Sequence, residues 1–193
     1  MLLTHEREKL IDAIDFFTKK TKYCGLTKLF KLLFFLDFIH FRQTGRSVTK
    51  LEYFAWPRGP VPRKLFFEMK GTEKSDLQEH VKVLDPAAFS DDQNSKQPTK
   101  IRVTKGFKKK YFTKRELKIM EELAEVFKEA RAVEISEVSH LPGAPWDKTV
   151  RGKGMNAAID YMLALDGSDK RQLDTEEIVA RLKEAEEIRQ ALG

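Results

Sequence analysis

Apolar residues recur at helical spacing along most of the chain, and the pattern is clearest near the N-terminus. A first helix is predicted from Thr4, which can cap it, with its apolar residues on one face. A second helix is predicted over residues 26–43, where most of the circumference is apolar. Such a segment is typical of a central helix enclosed by others, and Gly45 is a suitable terminator.

One short strand and several further helices are predicted after this pair. Residues 47–56 are rich in β-branched and aromatic types, which favours a strand, and Pro62 suits the first position of a third helix. Residues 100–112 alternate weakly around Gly106 and predict a hairpin with a lysine-rich face. Thr113 is predicted to cap a strongly amphipathic helix. Three more helices are predicted over residues 135–141, 155–165 and 175–192.

These elements predict a mostly α fold of the α+β class, a single globular helical domain with a small antiparallel β-sheet or hairpin. The 193 residues and an apolar fraction of 41% suffice for one buried core. Residues 1–166 are predicted to form this domain. Residues 167–193 are predicted to be a helical extension that packs on it or next to it.

Charge is distributed unevenly along the chain, whose formal net charge is +6. Residues 1–70 contain 14 basic and 7 acidic side chains, and residues 100–118 contain 9 and 1. Residues 119–193 are acidic, with 10 basic and 16 acidic side chains. Basic blocks attract phosphate, an acidic protein surface or the acidic end of the same chain, so charge alone selects no partner.

Several functional classes are disfavoured by what the sequence lacks. The single cysteine, Cys24, excludes a disulfide within the chain and a cysteine-rich zinc site. The longest apolar run, residues 32–36, is far shorter than the roughly 20 residues that span a bilayer. No phosphate loop, HExxH pair or GxSxG elbow is present, and the four histidines are scattered. We therefore expect a cytoplasmic, non-enzymatic protein with no catalytic residue, metal, cofactor or membrane partner.

The segment EYFAWPRGPVP, residues 52–62, is the most unusual stretch of the chain. Its three prolines exclude a helix interior or a central strand, so it must form a stiff corner. Trp56 is expected at the end of the preceding strand, and Gly59 permits a tight path before Pro60. Trp56 either fills the core or faces a partner, and Arg58 favours a partner because tryptophan and arginine are common interface hot spots.

Two other groups of residues are candidates for binding. Lys28 and Lys31 lie one turn apart on the second predicted helix, where they either extend to solvent or hold an acidic group between them. A second corner, SHLPGAPW, contains His140 and Trp146. His140 either titrates near neutral pH and donates to a partner, or satisfies carbonyl groups at a helix end.

Nucleic-acid binding is the main alternative that the residues themselves offer. The basic block of residues 105–115 interleaves lysines with Phe107, Tyr111 and Phe112, which combines charge for phosphates with rings that stack on bases. The same rings are equally suited to the buried side of a hairpin. No helix-turn-helix pair is apparent, so sequence-specific DNA recognition is not supported.

The segment LTKLFKLLFFLDFIHFRQTGRSVTKLEYFAWPRGPVP resembles the Panacea domain, also called the SocA-like antitoxin domain. The resemblance rests on the run from Lys28 to Asp37, on the Thr-Gly-Arg sequence at residues 44–46, and on the proline corner. The Ser-His pair ending at His140, followed by Trp146, is similar to a Ser-His…Pro-Trp element of that family. Here more residues separate the histidine from the tryptophan than that element has.

The resemblance implies a type II-like antitoxin that neutralises its cognate toxin by direct binding, with a role in phage defence. Toxins paired with this domain are varied, and many inhibit translation, among them small alarmone-synthetase-like enzymes. SocA-like members instead deliver a toxin to a ClpX-type protease. The expected assembly is a homo-oligomer or a toxin–antitoxin hetero-oligomer, and nucleic acid is not the favoured partner.

The partner-binding residues are expected on one side of the domain, with the charged members contacting or orienting the toxin. They are Lys28, Lys31, Tyr53, Trp56, Arg58, Gly59, Pro60, His140 and Trp146.

Overall fold

A computed structural model describes residues 5–84, 100–104 and 106–165 of the chain. Its α-helices are α1 (Glu6–Lys20), α2 (Leu26–Thr44), α3 (Arg63–Lys70), α4 (Leu77–His80), α5 (Lys114–Val126), α6 (Ala132–Ser139) and α7 (Pro145–Lys153). Its strands are β1 (Tyr53–Trp56), β2 (Gly59–Pro62), β3 (Val81–Val83) and β4 (Ile101–Val103), and two short 3₁₀ helices cover Lys109–Tyr111 and Tyr161–Ala164. The predicted fold class, mostly α with a small β component, is confirmed.

Helix α2 is the centre of the molecule, as its apolar circumference predicts. It packs against α1, α5, α6 and β2, and its residues from Lys28 to His40 are all buried. Aromatic pairs fix several of these contacts. Phe35 stacks on Phe127 with ring centroids 5.6 Å apart, and Phe38 stacks on Tyr161 at 4.5 Å. The helix ends at Gly45, which adopts the left-handed conformation that favours glycine.

Strands β1 and β2 form an antiparallel hairpin in which Trp56 lies opposite Gly59. The position of Trp56 at the end of a strand is therefore confirmed. The prolines of β2 are compatible with a strand because the sheet contains only these two strands.

The hairpin predicted around Gly106 is wrong. Strand β4 pairs instead with β3, with Val81 opposite Val103. Beyond Gly106 the chain is held on α1, because the backbone N–H of Phe107 donates to the Asp15 carboxylate at 2.9 Å. Phe107 also packs on Phe16 at 5.2 Å between ring centroids. These contacts with a distant helix prevent residues 107–112 from folding back on β4.

The helix predicted over residues 155–165 is also wrong, apart from its short 3₁₀ turn. The backbone of this segment bonds to β1: Asn156 N–H donates to the Ala55 carbonyl, and Ile159 N–H donates to the Tyr53 carbonyl, both at 2.8 Å. Backbone groups used in this way are not available for a helix. The helix in this region is α7, which begins at Pro145 because proline suits the first helical turn.

Other predicted boundaries agree more closely with the structure. Thr113 caps α5 in a capping box with Glu116, as predicted, and α6 begins three residues before the predicted start at 135. Pro62 is the cap of α3 rather than its first residue. Thr4 and the helix predicted over residues 175–192 lie outside the described residues. None of the described helices has the length and apolar character needed to cross a membrane.

Candidate partner-binding site

The β1–β2 hairpin presents its turn residues, Pro57 and Arg58, to solvent, whereas Gly59 and Pro60 directly after them are buried. Gly59 has a φ of +99°, a conformation that side-chain-bearing residues rarely adopt. A positive φ after two turn residues gives a hairpin a tight bend that reverses the chain. The exposed tip is thus attached directly to a buried base.

The base of the hairpin leaves no space for a side chain at Gly59. A Cβ atom added there would lie 2.6 Å from Lys31 Cε, 2.8 Å from His140 Nε2 and 2.8 Å from Ser139 Oγ. Helix α2 and the end of helix α6 therefore meet the hairpin at one point. We call Lys31, Gly59, Ser139 and His140 the hairpin base.

Lys31 is fully buried within the hairpin base. Its Nζ donates to the Pro60 carbonyl at 3.1 Å, which joins α2 to the hairpin. Burial lowers the pKa of Lys31 from 10.5 to about 7. The alternative in which Lys31 extends to solvent is wrong, because the side chain is buried and orients the hairpin without touching solvent.

Lys28 is also buried, but it has a different set of partners. Its Nζ donates to the Lys22 carbonyl and to the Ala130 carbonyl, both at 2.6 Å. These bonds connect α2 to the loops after α1 and α5 and do not involve the hairpin. The alternative in which Lys28 extends to solvent is therefore wrong as well, and the two ammonium groups bond to carbonyls of different segments.

His140 and Trp146 lie beside the hairpin base. Their rings are 4.0 Å apart between centroids, and Trp146 Nε1 donates to the Trp56 carbonyl at 3.0 Å. His140 Nε2 is buried and has no hydrogen-bond partner among the described residues. Burial, together with the nearby Lys31 charge, lowers the pKa of His140 to about 4. Of the two alternatives for His140, this lowered pKa opposes the one in which the ring titrates near neutral pH, because the imidazole is neutral there.

Trp56 is half-buried, so it packs against the core without being enclosed by it. Its ring packs against Phe66 of α3, with ring centroids 5.1 Å apart, and the exposed turn residues Pro57 and Arg58 follow it in the chain. Arg58 is thus the exposed member of the predicted site, and Trp56 is half-buried, as are His140 and Trp146.

Tyr53, by contrast, is fully buried and belongs to a polar network beneath the hairpin. Its hydroxyl donates to Asp37 Oδ2 at 2.8 Å, and the Thr49 hydroxyl donates to the same oxygen. The backbone N–H groups of Val48 and Thr49 donate to Asp37 Oδ1 at 2.8 and 2.7 Å. Burial raises the pKa of Asp37, and these bonds to the carboxylate oppose the rise. We call this set the Asp37 network.

Sequence reasoning missed the roles of Asp37 and Ser139, and it assigned none to α3. A signal for Asp37 was present, because a carboxylate in the middle of an apolar helix must find buried donors. Ser139 stood in the Ser-His pair of the resemblance but without a role, and the outer face of α3 gave no signal, since the importance of both depends on which elements pack beside them.

The basic block splits into packed rings and exposed charges. Phe112 is buried, and Phe107 and Tyr111 pack against α1, so the rings belong to the fold. Lys108, Lys109 and Lys110 are exposed. Farther along, an open cleft of about 550 Å³ is lined by Gln43, Lys114, Arg115 and Lys118.

The described residues show little that favours enzyme chemistry. Burial raises the pKa of Cys24 to about 11, which keeps its thiol protonated and weakly nucleophilic. Within residues 5–84, 100–104 and 106–165, no three histidine, cysteine or acidic side chains cluster as a metal site would require.

Comparison with known families gives one match. The family model of the antitoxin SocA-like Panacea domain matches residues 29–147, which is more than half of the chain. This range contains the Asp37 network, the hairpin and its base, and Trp146. No curated protein and no solved structure matches the chain.

Proposed function

The chain belongs to the SocA-like Panacea family, and from this premise we propose that it neutralises a cognate protein toxin by binding it directly at the β1–β2 hairpin. The observation that supports this site is the contrast between an exposed tip and a base with no free space. A tip held in one conformation loses little entropy when a partner binds, so more of the contact energy contributes to affinity.

The residues of the site divide into two roles in this proposal. Trp56 and Arg58 contact the toxin, because they lie at the turn of the hairpin and belong to the residue types that dominate interface energies. The buried members act through the shape of the hairpin and not by contact. They are Lys31, Tyr53, Gly59 and Pro60, with Lys28 bracing α2 and with His140 and Trp146 supporting the back of the hairpin.

The toxin that we propose is an inhibitor of translation encoded next to this chain, with small alarmone-synthetase-like enzymes as one class. Its complex with this chain is a hetero-oligomer that acts in the cytoplasm, with phage defence as the setting. Inhibition by binding alone requires no catalytic activity from this chain.

A growth assay tests the proposal. Cells that express the product of the adjacent gene should stop growing, and expression of this chain should restore growth. Trp56→Ala should fold, as judged by circular dichroism, and should fail to restore growth. Tyr23→Ala, at an exposed aromatic outside the hairpin, is the matched control and should restore growth fully. Full protection by a folded Trp56→Ala variant would remove Trp56 from the site.

The same assay separates neutralisation by binding from delivery to a protease. If the chain restores growth while the amount of toxin stays constant, binding is sufficient. If the toxin disappears, and persists in cells that lack ClpX, the chain is a proteolytic adaptor.

A nucleic-acid-binding regulator is the second candidate, and the basic cleft lined by Lys114, Arg115 and Lys118 favours it. Binding through phosphates weakens steeply as salt concentration rises, whereas a packed protein interface is less sensitive. Retention of nucleic acid by the purified chain, lost at high salt and lost in a Lys114→Glu/Lys118→Glu variant, would support this candidate.

A further inference from the structure

Helix α3 presents an outward face made of cations and aromatic rings, directly after the hairpin. Arg63 lies over the rings of Phe54 and Phe67, at 5.6 and 5.9 Å from their centroids. Farther along the helix, the Lys70 Nζ lies over the Phe66 ring, 6.0 Å from its centroid. Each helical pair, Arg63 with Phe67 and Phe66 with Lys70, is separated by four residues, which places both members on the same side of α3. The three rings are half-buried.

The charge of this face is not balanced locally. Arg63, Lys64 and Lys70 are exposed, and no acidic side chain forms an ion pair with them among the described residues. Glu68 is the one acidic residue of α3, and it is buried and bonded to Arg7 at 3.0 Å. The outer face of the helix is therefore uniformly positive.

This face continues into the hairpin without a break. Phe66 packs edge-on against Trp56, with an interplanar angle of 69°, and Phe54 of β1 lies under the Arg63 guanidinium. The accessible residues of the hairpin and of α3 therefore form one continuous surface. We call Phe54, Arg63, Phe66, Phe67 and Lys70 the α3 surface.

We propose that the α3 surface extends the toxin-binding site and that it takes an acidic protein surface bearing apolar side chains. The inference rests on the proposed function and specifies the chemistry of the partner. The two cations of this surface, Arg63 and Lys70, have no acidic partner among the described residues and favour carboxylates, and half-buried rings add apolar area once a partner excludes water.

A protein partner fits this surface better than a nucleic acid does. Bases stack on the faces of aromatic rings, but the cations of Arg63 and Lys70 already lie over these rings. Carboxylates reach those cations at their outer side without displacing them from the rings. Stacked cations of this kind also lose less side-chain freedom on binding than cations that project freely into solvent.

The test compares two charge reversals of equal size in the full chain. The Arg63→Glu/Lys70→Glu variant alters the α3 surface, and Lys114→Glu/Lys118→Glu is the matched control on α5. Each is titrated with the product of the adjacent gene carrying an inactivating substitution, and also with single-stranded and double-stranded oligonucleotides. The Kd for the toxin should rise at least about tenfold for the α3 variant, and by less than about twofold for the control. The Kd of the α3 variant for the toxin should also depend less on salt concentration than the wild-type Kd does.

A milder variant guards against misfolding. If the α3 reversal does not fold, Arg63→Gln/Lys70→Gln removes the charges without introducing acids, and it should raise the Kd by about threefold to tenfold. An unchanged Kd in either folded variant would overturn the inference while leaving toxin binding by the hairpin intact. Oligonucleotide binding that depends on Arg63 and Lys70, with toxin binding unchanged, would also overturn it. If the wild-type chain binds no toxin, this inference and the proposed function fail together.

Discussion

Two of the buried charged residues on α2, Lys31 and Asp37, lie six residues apart and differ in how many hydrogen bonds they make. The Asp37 carboxylate accepts four hydrogen bonds, from Val48, Tyr53 and two groups of Thr49. The Lys31 ammonium donates to one carbonyl, that of Pro60. The first charge is compensated by its surroundings, and the second is hardly compensated at all.

The difference indicates what each region does. A buried carboxylate with its full set of donors fixes the segment after α2 against the helix and stabilises the fold. A buried lysine with one acceptor opposes folding through lost hydration, so its presence calls for a reason other than stability. In the proposed function, that reason is the orientation of the hairpin tip for the toxin.

The largest expected effect comes from removing the carboxylate of the Asp37 network. Asp37→Ala leaves the N–H groups of Val48 and Thr49 and the Tyr53 hydroxyl without an acceptor, and should lower the free energy of unfolding by about 3–5 kcal/mol. Tyr53→Phe, which removes one donor, should lower it by about 1 kcal/mol. Urea unfolding measures both. Equal, small losses for the two variants would contradict the structural role of the network.

Gly59→Ala should have the next largest effect, because it combines an unfavourable φ with close contacts to the hairpin base. We expect a loss of about 2–3 kcal/mol in the free energy of unfolding. Gly71→Ala is the matched control, since its φ of +81° is similar but nothing lies within 4 Å of the added methyl group. It should lose about 1 kcal/mol. A tolerated alanine at Gly59, no worse than at Gly71, would show that the base is not tightly packed.

Lys31 should make the stability of the protein depend on pH. The unfolded chain holds a proton on Lys31 up to about pH 10.5, whereas the folded chain releases it above about pH 7. Stability therefore rises between these values, by about 1–2 kcal/mol from pH 7 to pH 8.5.

Lys31→Met isolates this contribution. The variant should lose the corresponding part of the pH dependence in urea unfolding and should be at least as stable as the wild type at pH 7. It should nevertheless neutralise the toxin less well, because the bond to Pro60 is lost. A wild-type stability profile identical to that of the variant would show that Lys31 stays charged when buried.

The smallest effect is expected at Trp146, behind the hairpin. Trp146→Phe removes the hydrogen bond from Nε1 to the Trp56 carbonyl but keeps a ring beside His140, and should cost about 1 kcal/mol. Thermal unfolding monitored by circular dichroism measures it. Trp146→Ala, which also removes the ring, should cost more, and equal losses for the two would mean that the ring contact contributes nothing.

Local patterns in the sequence predicted much of the fold. The apolar circumference of α2, the Thr113 cap and the strand ending at Trp56 are each determined by neighbouring residues, and each is confirmed. The failures involve contacts between distant segments. Strand β4 pairs with β3 rather than with its own neighbour, and the segment after Gly154 bonds to β1. Periodicity within a segment carries no information about such partners.

The candidate site shows the same limit. The proline corner was recognisable because proline and glycine restrict the backbone wherever they occur. The burial of Lys28 and Lys31 could not be recognised from the sequence, because a helical projection places side chains on a face without showing what covers that face. Carbonyls of the hairpin and of two loops cover it here.

The most direct test of the central claim is calorimetric titration of the purified chain with the inactivated product of the adjacent gene. We expect saturable binding by the wild type, with a Kd of roughly micromolar or tighter, and at least about tenfold weaker binding by a folded Trp56→Ala variant. Absence of binding, or the same Kd for both proteins, would contradict the claim that the hairpin is the toxin-binding site.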